Sequence, residues 1–265
     1  MTELIGLWYS PYTEKARWAL DFHQIPYEYT EHLILFGMPA LRLKTRKLSG
    51  DLTVPVLIDD EHVFFDSFDI ARWADQKSGD PTLFPAGRTG ELLRYNALSE
   101  TALDAGRALL LHQIKQNPQA QVENLPGFVP KPLRNSFRAM AQVGLSYLKK
   151  EFRVDYTNLE LYELRICDVL SVLRERLAKS ETGYLLGDFS YADIVMAVTL
   201  QFVKPIESPH IPLEPATREC WTVAEIASEF HDLLTWRDKI YQKHRFPSGQ
   251  KLTKKLGSPN SKSFS

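Results

Sequence analysis

A short apolar segment, Leu4-Ile5-Gly6-Leu7-Trp8-Tyr9, runs straight into Ser10-Pro11-Tyr12-Thr13-Glu14-Lys15-Ala16-Arg17. The first part reads as a strand. After it Ala16, Ala19, Leu20 and His23 recur at helical spacing, with Lys15 and Arg17 expected to face elsewhere. Ser10 is a favoured N-cap, and Pro11 suits the first helical position, where its missing N–H is not needed. Such a helix end presents free amides and the positive pole of the dipole beside a hydroxyl, an arrangement that can hold a thiolate. A serine that simply caps a helix is the other reading at this point.

Further along, Thr53-Val54-Pro55-Val56-Leu57-Ile58 is followed by Asp59-Asp60-Glu61-His62 and then Val63-Phe64-Phe65. Two apolar runs around an acidic turn predict a β-hairpin, with the proline at a strand entry where no ladder N–H is required. Asp66-Ser67-Phe68-Asp69 then opens a helix with Ile70, Ala71, Trp73 and Ala74, and either Asp66 or Ser67 can cap it. Residues 1–80 therefore read as strand, helix, strand (Tyr27 to Thr30), a loosely defined segment, strand, strand, helix. That is the order of a thioredoxin-like βαβ-ββα domain.

The segments Ser10-Pro11-Tyr12, Lys15-Ala16-Arg17-Trp18-Ala19-Leu20, Thr53-Val54-Pro55-Val56-Leu57 and Asp66-Ser67, in this order and spacing, resemble the N-terminal domain of glutathione transferases. Leu185-Leu186-Gly187-Asp188-Phe189-Ser190-Tyr191-Ala192-Asp193-Ile194 resembles the C-terminal-domain signature of the same superfamily. This last segment has its own physics. Ser190 and Asp193 have N-cap and N3 spacing for reciprocal capping, and Phe189 and Ile194 stand at the two positions of a hydrophobic staple. The expected fold class is α/β plus all-α: a thioredoxin-like N-terminal domain followed by a helical-bundle C-terminal domain.

Composition sets bounds. A chain of 265 residues, 44% of them hydrophobic, can bury one large core or two smaller ones, and two is the expectation. A net charge of −1 supplies no bulk field toward nucleic acid or membrane. No apolar run is long enough to span a bilayer, and the first apolar stretch is a strand rather than a signal peptide. Cys167 and Cys220 lie far apart and form no CxxC or zinc pattern. The expectation is a cytoplasmic, metal-free chain with no nucleic-acid or membrane partner.

Domain limits are expected at Gly79 to Gly90, where Gly and Pro interrupt the pattern. This gives residues 1–80 to the thioredoxin-like domain, 81–88 to a linker, 89–244 to an all-α domain and 245–265 to a flexible basic tail. Predicted helices run from Thr89 to Ile114, with Leu92, Leu93, Asn96, Leu103 and Leu110 as packing positions, and from Leu133 to Phe152. Another runs from Thr157 to Leu177, entered by a capping box at Thr157-Asn158-Leu159-Glu160. The last two run from Ser190 to Val203 and from Val223 to Tyr241. Between the first two lies a polar, Pro-marked stretch. The Leu133–Phe152 helix is extra to the usual pattern of the resembled family and is expected to reshape or cover a substrate pocket.

The resemblance implies an activity. Ser10 would donate a hydrogen bond to the sulfur of bound glutathione, a cosubstrate whose thiolate then attacks a small hydrophobic electrophile; the alternative is a glutathione-binding, ligand-carrying or structural member of the fold with little turnover. Val54, before a Pro55 that is cis in the family, would pair with the cysteinyl backbone. Asp66 and Ser67 would take the γ-glutamyl end. Where relatives often carry Lys before the Val-Pro pair, this chain has Leu52-Thr53, so Lys44, Arg46 and Lys47 are the nearby cations for a carboxylate. Tyr9 and Tyr12 flank Ser10 and are alternative hydroxyls for the sulfur. Cys is absent from position 10, which argues against thiol-reductase relatives. The electrophile pocket would draw on Tyr12, Leu35, Phe36, Met38 and the α-domain, and a homodimer is implied by the resemblance alone.

Overall fold

A computed structural model describes residues 1–60, 62–79, 82–207 and 210–246. Its first part is a four-stranded sheet built on β1 (Thr2–Gly6). Strand β2 (Glu28–Glu31) lies parallel on one side of β1, and β3 (Val56–Asp59) lies antiparallel on the other. The acidic turn closes a hairpin to β4 (His62–Phe64), giving the order β2-β1-β3-β4. Helix α1 (Pro11–Phe22) is the crossover between the two parallel strands, and α3 (Ser67–Lys77) packs beside it. The segment the sequence left undefined holds α2 (Met38–Thr45). Its entry needs a glycine, because a Cβ on Gly37 would stand 2.7 Å from His32 Nδ1.

The remainder is helical. Long α4 (Thr89–Gln116) packs against α7 (Leu159–Ala178) and α8 (Tyr191–Thr199), with short α5 (Pro118–Glu123) after it. A 3₁₀ segment, Lys131–Phe137, leads into α6 (Arg138–Glu151). Helix α8 is buried along its whole length, as its continuous apolar run requires, and continues as a 3₁₀ turn, Leu200–Phe202. Its cap forms as predicted: the Asp193 carboxylate accepts from Ser190 N at 2.9 Å and Ser190 Oγ at 3.0 Å, and it also accepts from Leu185 N at 2.9 Å. Burial pushes that carboxyl up to about 6 against these bonds. Helices α9 (Pro215–Cys220), α10 (Ala224–Glu229) and α11 (His231–His244) complete the chain.

Several sequence expectations need correction. The capping box at Thr157 does not form. Asn158 is the N-cap without a side-chain bond, and Asp155 instead accepts from Thr157 N and Oγ1 in a turn before the helix. The single helix expected from Val223 to Tyr241 is two, broken at Phe230. Leu93 is exposed. Lys15 and Arg17 do not face solvent, because α1 is covered by α3 on one side and by α8 on the other. Lys15 Nζ pairs with Glu100 Oε1 at 2.7 Å, and Arg17 lies 3.8 Å above the Trp8 ring and pairs with Glu14 at 3.3 Å.

Arg245, assigned from sequence to the tail, is fully buried. It bonds Glu14 Oε1 at 2.7 Å and Asp21 Oδ2 at 2.6 Å, so it fastens the end of α11 onto α1. Burial would raise the Glu14 carboxyl, but Arg245 and then Arg17 hold it below the usual carboxylate range. The rest of the expected tail, residues 247–265, lies outside the described residues.

Candidate active site

Ser10 is the N-cap of α1, in extended conformation, with Pro11 at the first helical position. Its backbone is used: Ser10 N donates to Leu7 O, and Glu14 N donates to Ser10 O, both at 2.9 Å. Its hydroxyl makes no capping bond. The side chain is half-buried and faces an apolar cavity of about 200 Å³, whose walls include Tyr9, Met38, Leu110, Leu148, Phe202 and Trp221. The Phe202 and Trp221 rings stack at 4.6 Å, and Tyr9 meets Trp221 edge-on at 6.4 Å. A hydroxyl at a helix N-terminus in such a wall sees positive potential and little water.

A second cavity, of about 460 Å³, adjoins the first and is polar. Pro55, Asp66, Ser67, Glu100, Asp104, Arg153 and Arg165 line it, and Tyr12, Thr53, Val54, Arg107 and Phe152 are shared by both. The predicted site residues therefore divide. Ser10 stands in the apolar chamber, Pro55, Asp66 and Ser67 in the polar one, and Val54 at the partition. The Val54–Pro55 peptide is cis. At the start of α3 the open choice of cap resolves to Asp66, whose Oδ1 accepts from Phe68 N at 2.7 Å; Ser67 is the first helical residue and is almost fully buried.

The two tyrosines are poor candidates for a thiol-activating group. Burial pushes both phenols upward, and Tyr12 already donates to Asp104 Oδ1 at 2.9 Å. The basic cluster on α2 misses both chambers. Lys44 pairs with Glu3, Lys47 Nζ sits 5.0 Å from the Phe65 ring centre, and Arg46 is the left-handed C-cap of α2. The cations of the polar chamber are Arg107, Arg153 and Arg165, which no local pattern singled out because they come from α4, from the turn after α6 and from α7. Asp66, Glu100 and Asp104 line the same chamber; Asp104 Oδ1 pairs with Arg107 at 3.0 Å, and Glu100 Oε1 pairs with Lys15 at 2.7 Å. Burial holds the Lys15 ammonium below its ordinary value, with Glu100 pulling in the other direction.

The apolar chamber differs from expectation on one side. Tyr12 and Met38 line it, but Ile34 stands where Leu35 and Phe36 were expected, and Phe36 is turned to solvent. Tyr147, Leu148 and Glu151 of α6, with Phe152 after it, close the opposite wall. Cys167 is half-buried and Cys220 buried, and burial raises both thiols. Among the described residues no cluster of His, Cys, Asp and Glu could hold a metal ion, and no helix is long and apolar enough to cross a membrane.

Residues 4–82 match the family described as glutathione S-transferase, N-terminal domain. Over these residues the chain is similar to the N-terminal domain of glutathione S-transferases. Glutathione S-transferase Z1 of Arabidopsis thaliana is 31% identical over 97 residues, 37% of this chain and 43% of that protein. Glutathione S-transferase U16 of the same plant is 29% identical over 86 residues, 32% of this chain and 36% of its own length. The matched stretch thus spans well under half of these relatives. Beyond it the likeness is one of fold. A glutathione S-transferase of Methylobacillus flagellatus with glutathione bound superposes with a TM-score of 0.59 at 17% identity, covering 91% of this chain and 95% of that one. One from Ceriporiopsis subvermispora, in complex with glutathione, gives 0.60 at 18% identity, over 94% and 99%. The chain has the glutathione S-transferase fold, a thioredoxin-like domain followed by a mostly helical part.

Proposed function

We propose that this protein is a glutathione transferase of the serine type, which activates the thiol of bound glutathione for attack on a hydrophobic electrophile. One observation carries the reading above the others: the Ser10 hydroxyl stands at a helix N-terminus, unused by the cap, between an apolar chamber and the partition to a polar one. The thiol of free glutathione is mostly protonated at neutral pH, with a reference near ~8.5. Lowering it by about two units takes roughly 2.7 kcal/mol of differential stabilisation. A hydrogen bond to a charged group, about 1.5–3 kcal/mol, together with the α1 dipole, is sufficient. Ser10 need not ionise; the nucleophile is the cosubstrate's sulfur.

The polar chamber takes the peptide. Val54 offers its backbone to the cysteinyl residue, as an added strand does. Ser67, with its amide at the start of α3, suits the γ-glutamyl carboxylate, and the acids Asp66, Glu100 and Asp104 suit the ammonium. Arg153 and Arg165 supply positive charge for carboxylates in place of the α2 cluster. The electrophile enters the apolar chamber beside Ser10, under α6. Homodimerisation, a cytoplasmic location and a role in detoxification belong to the same proposal and rest on the resemblance.

Calorimetric titration of the full chain with glutathione tests the peptide site. Saturable one-site binding is expected, weakened about tenfold or more in Ser67→Ala through the loss of a hydrogen bond to a charged group. Absence of binding in the unaltered protein would remove the proposal.

A further inference from the structure

Residues 124–150 contain Lys131, Arg134, Arg138, Lys149 and Lys150 and not one Asp or Glu, in a chain whose overall charge is −1. A near-zero net charge rules out a bulk field but hides this local one. The structure gives the run a defined form. Leu125 and Val129 anchor its start in the core, yet neither the 3₁₀ segment Lys131–Phe137 nor α6 contains a single buried residue. Met140, Gly144, Leu145, Tyr147 and Leu148 form a half-buried stripe against the body, and the other side of the helix is open.

That open side is apolar as well as basic. Phe128 is 53% exposed, Leu133 48%, Phe137 46% and Val143 59%. The loop before α2 joins the same face, since Phe36 is 55% exposed and its ring centre lies 6.3 Å from that of Phe128. Scattered exposed apolar side chains are ordinary, but adjoining aromatic ones set among charges of one sign mark a docking surface. A second copy of the chain is a poor occupant, because an isologous contact would bring the two basic faces together. Aromatic and aliphatic side chains among Lys and Arg match an anionic lipid surface, with rings at headgroup level and cations on phosphates. The placement is functional too: Ile34 and Met38 on one side, and Tyr147 and Leu148 on the other, line the apolar chamber directly behind this face.

We propose that this face docks peripherally on anionic membranes through Phe36, Phe128, Phe137, Lys131 and Arg138, presenting the rim of the apolar chamber to the bilayer, where apolar electrophiles concentrate. The docking claim does not depend on the glutathione reading. It is tested by co-sedimenting the 265-residue chain with vesicles of phosphatidylcholine, with and without phosphatidylserine. Binding is expected only with phosphatidylserine and should weaken as salt is raised. Each basic side chain near such a surface is worth a factor of about five, so Lys131→Glu with Arg138→Glu should lower the partition coefficient about twentyfold or more. Phe128→Ala with Phe137→Ala should lower it about tenfold, by loss of buried apolar area. All four positions are exposed and outside both chambers, so thermal melting and glutathione affinity should be unchanged. Equal binding to both vesicle types, or none, would overturn the proposal. So would full binding by the charge-reversed variant, or loss of binding when Lys251, Lys254 and Lys255 alone are changed to Gln. Capture of an acidic protein without vesicle binding would assign the face to that class of partner and overturn it equally.

Discussion

Two imidazoles, His244 at the end of α11 and His210, give the fold an expected sensitivity to acid. His244 stacks on Phe189 with ring centres 3.8 Å apart and bonds the Tyr184 hydroxyl at 2.8 Å. Burial, and then Lys243, pull its imidazole down to about 4; burial and then Arg245 do the same to His210. Both are neutral in the folded chain, whereas the unfolded chain takes up protons near 6.5. Below that pH the unfolded state binds more protons, so this contribution to stability is complete above 6.5 and is lost as pH falls toward 4. Urea unfolding across that window should show a shallower loss for His244→Phe than for the unaltered protein. An identical slope would mean that His244 does not titrate between the two states. At this scale the sequence was informative where chemistry is local. Ser10, Val54, Pro55, Asp66 and Ser67 were legible as candidates because each sits at a helix start or strand entry that their neighbours announce. Arg107, Arg153 and Arg165 were not, since three separate elements must assemble before they share a chamber.

At the scale of elements, the same division holds. The β3–β4 hairpin and the α8 cap were legible because turn and cap chemistry lies within a few residues. Helices α2, α5 and α9 were missed because each is only six to eight residues long and opens with a proline in its first turn, which reads as a breaker as readily as a start. The break at Phe230 carries no Gly or Pro signal. One contact between elements deserves a direct test. A Cβ on Gly106 of α4 would stand 2.6 Å from Phe202 Cγ, inside the stack that walls the apolar chamber. Gly106→Ala should therefore cost about 1–3 kcal/mol despite its better helix propensity. In α6, a Cβ on Gly144 meets Leu35 Cδ1 at an ordinary 3.9 Å. Gly144→Ala should gain up to about 1 kcal/mol. Denaturant midpoints that moved in the same direction for both would contradict the assigned contact.

At the scale of the whole molecule, α1 joins the two parts of the chain, and it does so with charge. Lys15 reaches Glu100 on α4, while Glu14 and Asp21 receive Arg245 from beyond α11. These pairings were not legible in the sequence, because the partners lie 85 to 231 residues apart. Removing one member of a buried set leaves the others uncompensated, so Arg245→Met should destabilise the protein by about 3–5 kcal/mol. An unchanged urea midpoint would show that Arg245 is not a clasp. The cluster also fixes the helix whose N-terminus carries Ser10. The most direct measurement is the ultraviolet absorbance of the thiolate of bound glutathione, followed against pH for the unaltered protein and for Ser10→Ala. The bound thiol should titrate about two units below its free value in the unaltered protein and move back toward ~8.5 in Ser10→Ala, with affinity changed by no more than a few fold. A bound thiol that titrates normally in the unaltered protein, or one equally depressed without the Ser10 hydroxyl, would contradict the role given to Ser10.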